Sequence, residues 1–260
     1  MSPTSARVVR YTDPVMDAAH KIRDAVTRVD EIRRCAANDP TRRAALLTVK
    51  SLQARRFAGS YSDLLRSNEY GAAARFFLED LYSDKDYTQR DAQFSRIAGA
   101  LQRLFPQQVI ATAVALAQLH LLTEDLDWQM AGCWSTRGGT LPNDFAAAYI
   151  ECWRAVGHHE SRVQQLNVVL TVGKDLDRLT KTPGLRLMLR MMHGPAKAAG
   201  LGSLQDFLES GFDTFAKMSG KGHSADEFLS TIQSREASWI QELSYGNFEQ
   251  CETTLLRSLS

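Results

Sequence analysis

Three side chains on one predicted helix, His120, Glu124 and Asp127, have the types and the spacing that could support chemistry. At about 100° per residue, they fall within roughly 60° of one another on an α-helix. Small and aliphatic residues lie on or beside the same face: Val109, Ala113, Leu116 and Ala117. Burying an ionisable group alone costs several kcal/mol, so buried groups of this kind must be paired, metal-bound or catalytic. The pattern therefore predicts a buried polar site on this helix.

The trio supports two interpretations. A neutral imidazole with carboxylates one and two turns away could hold a divalent metal through His120, or could pair a general base with an orienting acid. Alternatively, the three residues form a structural hydrogen-bond cluster, in which Asp127 accepts from a Lys or Arg of another helix. The two Glu-x-x-His motifs of a ferritin-like di-iron site do not occur in the sequence.

A second group of hydrogen-bonding side chains brackets the predicted turn at residues 79–91. Loops that concentrate such side chains often carry binding sites. We therefore predict a ligand site formed by His120, Glu124, Asp127, Asp80, Tyr87 and Arg90. The alternative is that Arg90 only holds the junction together, by forking a carboxylate such as Asp80 or Asp127.

Helical patterning surrounds these residues almost throughout the chain. No segment alternates with period two for long enough to predict a strand. We therefore predict an all-α fold, a multi-helix bundle of about ten helices without a β-sheet, joined by short connections. The central element should be a helix over residues 106–134, which is apolar around most of its circumference.

Charge is distributed unevenly along the 260 residues. Residues 1–67 carry thirteen Lys or Arg against seven acids, a net charge of +6, whereas the remainder carries −5. We predict a flexible N-terminus over 1–12, a basic helical hairpin over 13–67 and a main helical domain over 68–260, with one continuous domain over 13–260 as the alternative. Nucleic-acid binding is not expected, because Leu46 and Val49 interrupt the basic face and the pI is near 7.7.

Composition favours a cytoplasmic protein. The hydrophobic fraction of 44% and the charged fraction of 23% are typical of soluble globular proteins. No uninterrupted apolar run approaches the roughly 20 residues of a membrane span, and no secretory signal pattern opens the chain. We therefore expect no membrane partner. The four cysteines contain no C-x-x-C pair, which favours reduced thiols over a zinc site.

Two separate segments carry a family resemblance. Residues 76–82 (FFLEDLY), followed by Asp86-Tyr87 and Arg90-Asp91 in the pattern DYxxRD, resemble the signature of an uncharacterised family of all-helical bacterial proteins. Residues 200–201 and 207–212 (FLESGF) are similar to the same family, so the resemblance covers most of the chain from about residue 55 onward. It implies a helical fold and no known activity, and no catalytic residue is carried over from it.

Motifs specific for catalysis are missing from the sequence. Neither a Gly-rich phosphate loop nor the G-x-S-x-G of α/β-hydrolases occurs. We therefore favour a non-enzymatic protein that binds a protein partner or a small molecule, with no cofactor favoured. The alternative is a metal- or haem-dependent protein with His120 as ligand, its site lying between helix 106–134 and the 79–91 junction. A haem needs only one well-placed His in an apolar helical pocket.

Overall fold

A computed structural model describes residues 14–81, 87–137, 144–219 and 224–259. The described residues form α-helices and one π-helical segment, with no strand among them. The helices are α1 (Pro14–Asn38), α2 (Pro40–Ser60), α3 (Ser62–Arg66), α4 (Gly71–Phe76), the π-helical segment (Phe77–Leu81), α5 (Thr88–Leu104), α6 (Gln107–Arg137), α7 (Phe145–Val156), α8 (His159–Thr180), α9 (Leu185–Met191), α10 (His193–Ala198), α11 (Gly202–Ser219), α12 (Ser224–Tyr245) and α13 (Phe248–Leu259). The N-terminus predicted to be flexible, residues 1–12, lies outside the described residues.

The all-α prediction is confirmed, with somewhat more helices than the ten or so expected. The helices are interrupted in three short stretches. Residues 40–66 form α2 and α3, which meet at Tyr61, and residues 71–81 form α4 and the π-helical segment. The segment 184–199 is divided at Met192, three residues before Pro195. Proline has no amide hydrogen to donate and its ring crowds the carbonyl four residues back, which accounts for this last division.

The long helix α6 occupies the centre of the packing, as the sequence predicts. It contacts α1, α2, α7 and α8 along its length. Ala113 and Ala117 pack with Ile22 of α1 in one apolar cluster, whereas Met130 and Ala131 belong to a second and larger one. Both N-terminal helices, α1 and α2, therefore pack along α6.

Among the described residues, α6 is also the one helix that is long and apolar enough to cross a membrane. This property rests on length and composition alone. The core helix of a soluble protein meets the same criterion, so the finding is weak evidence for a membrane span.

The close contact between α2 and α13 depends on the small size of Gly59. A Cβ at this position would overlap the carbonyl oxygen of Ser258. We expect Gly59→Ala to lower the free energy of unfolding by about 1–3 kcal/mol, because the backbone of α13 has to shift. The higher helix propensity of Ala offsets only part of this loss. Urea denaturation measures the change.

Gly99→Ala on α5 is the matched control. There a Cβ would meet only the flexible end of the Arg23 side chain, at 3.1 Å. This variant should be as stable as the wild type, or more stable by up to about 1 kcal/mol. Equal losses in the two variants would show that the contact between α2 and α13 is not tight.

Candidate ligand cavity

His120 lies on α6 with its side chain 18% exposed. Its Nε2 is 2.8 Å from Oδ2 of Asp91 on α5, and Nη2 of Arg33 on α1 donates to the same oxygen at 2.6 Å. Burial disfavours the charge on Asp91, but the hydrogen bonds with His120 and Arg33 outweigh it and lower the pKa of this carboxyl. The histidine therefore belongs to a charged network that joins α1, α5 and α6.

Glu124 and Asp127 face α2 instead. Nζ of Lys50 donates to Oε1 of Glu124 at 2.6 Å, and both side chains are largely buried. Asp127 is 2% exposed and lies near Gln53 and Lys50 of α2. The predicted trio is thus buried or half-buried on one helix, but it is divided between two networks.

Burial raises the pKa of Asp127 to about 6. Lys50, Arg162 and Gln53 act to lower it, and Glu124 acts to raise it further. The removal of a carboxyl group from water disfavours its charged form, and here the favourable contacts do not compensate. The fold therefore disfavours the charged form of the Asp127 carboxyl group.

The 79–91 junction supplies two of its predicted residues to the neighbourhood of His120. The Tyr87 hydroxyl donates to a backbone carbonyl of the π-helical segment at 3.0 Å, and its ring lies edge-on to that of His120. The Arg90 guanidinium lies 3.8 Å from the centroid of the Tyr87 ring and 4.5 Å from that of Phe207. The side chain of Asp80 lies outside the described part of the structure.

An interior cavity of about 250 Å³ lies between α6 and α8. The π-helical segment, α5, α9, α11 and α12 also contribute to its wall. Most of that wall is apolar, and its larger aliphatic and aromatic side chains include Phe77, Phe94, Leu116, Leu166, Val169, Val172, Leu176, Leu208, Phe212 and Ile232. An engineered apolar cavity of about 150 Å³ already binds benzene. The space therefore suits an apolar small molecule.

One region of the wall contains a buried ion pair between α2 and α12. Arg56 donates to both carboxylate oxygens of Glu236, at 3.1 and 2.9 Å, and the Tyr61 hydroxyl donates to Oε1 at 2.8 Å. Burial and the adjacent carboxylate raise the pKa of Tyr61, so its hydroxyl remains protonated. Burial acts to lower the pKa of Arg56, but its contacts with Glu236 prevail and the pKa is raised. The charges in this region are therefore balanced within the fold.

A second cation in the wall lacks such a partner. Arg162 of α8 is 2% exposed, and its guanidinium lies 3.9 Å from the centroid of the Trp153 ring. Among the described residues, neither its Nε nor its Nη2 has a hydrogen-bond partner. A buried donor without a partner costs about 1–3 kcal/mol, and more when it is charged. This part of the cavity wall therefore contains a buried charge that is not fully satisfied within the described residues.

A metal at His120 has only limited support from the geometry. Among the described residues, the group of side chains close enough to share one ion consists of His193, Asp206 and Glu209, and does not include His120. Since Nε2 of His120 is occupied by Asp91, a metal or haem iron would have to bind Nδ1. The metal- or haem-dependent site stays a prediction.

Sequence reasoning identified two polar residues of the cavity wall, His120 and Arg90, and missed others, of which Arg162 was the easiest to find from the sequence. It lies four residues before Leu166 and eight before Leu170, so all three share one helical face. A cation on an otherwise apolar face is the same signal that identified His120. No local signal pairs Arg33 with Asp91, because 58 residues separate them.

Comparison with known proteins identifies one family. A family model described as a domain of unknown function (DUF8198) matches residues 32–250, which include both segments of the resemblance and Arg162. The expectation of an uncharacterised family is therefore confirmed. No curated protein and no solved structure matches the chain.

Proposed function

We propose that this chain, which belongs to the DUF8198 family, is a non-enzymatic protein that binds an apolar small molecule in its interior cavity. The observation that carries the proposal is a cavity of about 250 Å³ with a mostly apolar wall. An apolar molecule that enters such a space leaves water and gains dispersion contacts with the wall. Ligand sites in proteins are typically apolar clefts with a few placed polar groups.

The volume of the cavity supports a role in binding. Apolar space that no atom fills forfeits dispersion contacts with the surrounding side chains, which lowers the stability of a core. A ligand that fills the space restores the missing contacts, and its binding free energy adds to the stability of the fold. We therefore expect the ligand to raise the melting temperature.

The π-helical segment offers further support. Its residues Phe77 and Leu78 belong to the cavity wall. π-helical turns are rare, and they occur frequently at functional sites. The π-helical backbone thus forms part of the wall of the proposed binding cavity.

We place this binding in the cytoplasm, with a small molecule as the partner. Although α6 is apolar enough for a membrane span, Glu124 is paired with Lys50 of α2, and Asp127 is buried beside the same helix. Charged groups of this kind are costly at the centre of a bilayer. They suit the central helix of a soluble bundle.

Binding of the neutral fluorescent probe N-phenyl-1-naphthylamine tests the proposal. We expect a saturable fluorescence increase with the wild type. Ala113→Phe should weaken binding by at least about tenfold, because the ring would occupy the cavity beside α6. Ala111→Phe adds the same ring to the exposed face of α6, and should bind as the wild type does.

Circular dichroism and the urea midpoint report whether both variants fold. Should Ala113→Phe fail to fold, Leu176→Phe adds a smaller volume to the wall from α8. The absence of saturable binding to the wild type contradicts the proposal. So does unchanged binding in a folded cavity variant.

A further inference from the structure

Arg162 is a nearly fully buried cation in the wall of the proposed binding cavity. A buried charge is stable only when it is paired and its donors are satisfied. Among the described residues, no ion pair includes Arg162, and its Nε and Nη2 have no hydrogen-bond partner. Asp127 acts on it from beyond ion-pair distance. The fold therefore leaves this cation without a direct counter-charge.

Another arginine in the same wall shows the contrast. Arg56 donates two hydrogen bonds to Glu236, which satisfies the end of its guanidinium and neutralises its charge. The Nε of Arg56 also lacks a hydrogen-bond partner, but the charge of Arg56 is balanced by Glu236. Among the described wall residues, Arg162 is thus the buried arginine that has no ion-pair partner and two edge donors without a hydrogen bond.

The free donors of Arg162 have a defined geometry. Nε and Nη2 lie on the same edge of the planar guanidinium, where their two N–H bonds run nearly parallel. A carboxylate accepts from such an edge with both oxygens, and the resulting bidentate pair is strong and directional. The face of the guanidinium is held against Trp153, at 3.9 Å from the ring centroid. The face is therefore covered by Trp153, whereas the two edge donors are buried and have no hydrogen-bond partner among the described residues.

Resting on the proposed binding function, we infer that the ligand is an amphiphile with an apolar body and a carboxylate group. Its apolar body fills the cavity, and its two carboxylate oxygens accept from Nε and Nη2 of Arg162. Because both charges would be shielded from water, their pairing contributes more than it would at the surface. No other contact with the ligand is needed to explain a preference for an anion.

Decanoate and decanol test this inference, since they share a chain and differ in the head group. We expect decanoate to displace N-phenyl-1-naphthylamine from the wild type at concentrations at least about tenfold lower than decanol at neutral pH. Arg162→Met should remove this preference, so that decanoate no longer displaces the probe at lower concentrations than decanol. Arg178→Met, an exposed position on the same helix, should retain the preference.

The melting temperature without ligand provides a second readout. Arg162→Met removes an unpaired buried charge and should melt at a higher temperature than the wild type. Should this variant fail to fold, Arg162→Gln removes the charge but keeps a polar side chain. The preference for decanoate over decanol is then measured with that variant.

The possible failures are distinguishable. Equal binding of decanoate and decanol to the wild type would overturn the carboxylate assignment and leave the proposed function intact. A preference that survives Arg162→Met, or a lower melting temperature of that variant, would also overturn the assignment, since Arg162 would then be satisfied within the fold. If the neutral probe and both amphiphiles all fail to bind, the proposed function itself is wrong.

Discussion

Glu236→Gln is expected to lower the free energy of unfolding by about 3–5 kcal/mol. The substitution keeps the shape of the side chain but removes the charge opposite Arg56, which is 5% exposed. Tyr61 also loses its anionic acceptor. The removal of one partner from a buried pair is severe because the other charge stays behind in a medium that solvates it poorly. Urea denaturation at neutral pH, followed by far-UV circular dichroism, gives the change from the shift in midpoint.

Asp63→Asn is the control, because it breaks a pair of similar geometry at the surface. Arg235 donates to both oxygens of Asp63 at 2.7 Å, and the Asp63 side chain is 57% exposed. Hydrogen bonds from Arg235 lower the pKa of Asp63 to about 2, but water screens the pair. We expect a loss of no more than about 1 kcal/mol. If Glu236→Gln loses no more than this control, solvent reaches the interior around Arg56.

The positions of the helices follow from local signals, which explains why the sequence predicts them well. The start of α2 is one example: the Asp39 side chain accepts from the backbone N–H of Arg42 at 2.9 Å, and Pro40 occupies the first helical position. The bounds of α6 differ from the predicted 106–134 by one residue at the start and three at the end. Such signals act within a few residues of each helix end.

The networks inside the bundle could not be predicted in the same way. Arg56 and Glu236 are separated by 180 residues, and no spacing rule relates two positions so far apart on different helices. Helical periodicity shows which face of α6 is buried, but not which helix covers it. The division of the trio between Asp91 of α5 and Lys50 of α2 depends on that tertiary packing.

The two segments of the family resemblance meet in space, which gives their residue pattern a physical reason. Phe76 stacks on Phe207, with ring centroids 5.6 Å apart. Gly211 allows this approach, because a Cβ there would lie 2.8 Å from the Phe76 ring. Arg90 lies over Phe207 from the opposite segment. Residues of both segments contribute to the cavity wall. The two parts of the sequence pattern therefore belong to one packed surface.

Asp127 should give the fold a pH dependence opposite to that of a salt-bridged acid. Burial raises its pKa from an ordinary value of 3.8 to about 6, so between these values the folded state binds more protons than the unfolded state. Stability therefore falls as the pH rises through this window. The contribution of this residue corresponds to about 3 kcal/mol, present below about pH 4 and lost above about pH 6.

Asp127→Asn should remove this dependence, because an amide does not ionise. We expect the variant to match the wild type near pH 4, and to exceed it by up to about 3 kcal/mol near pH 7.5. Urea midpoints at the two pH values measure the difference. Asp125→Asn, a half-exposed position on the same helix, is the control and should change with pH as the wild type does. A variant less stable than the wild type near pH 7.5 would mean that the Asp127 charge is needed to balance Lys50 and Arg162, in which case burial does not dominate at this site.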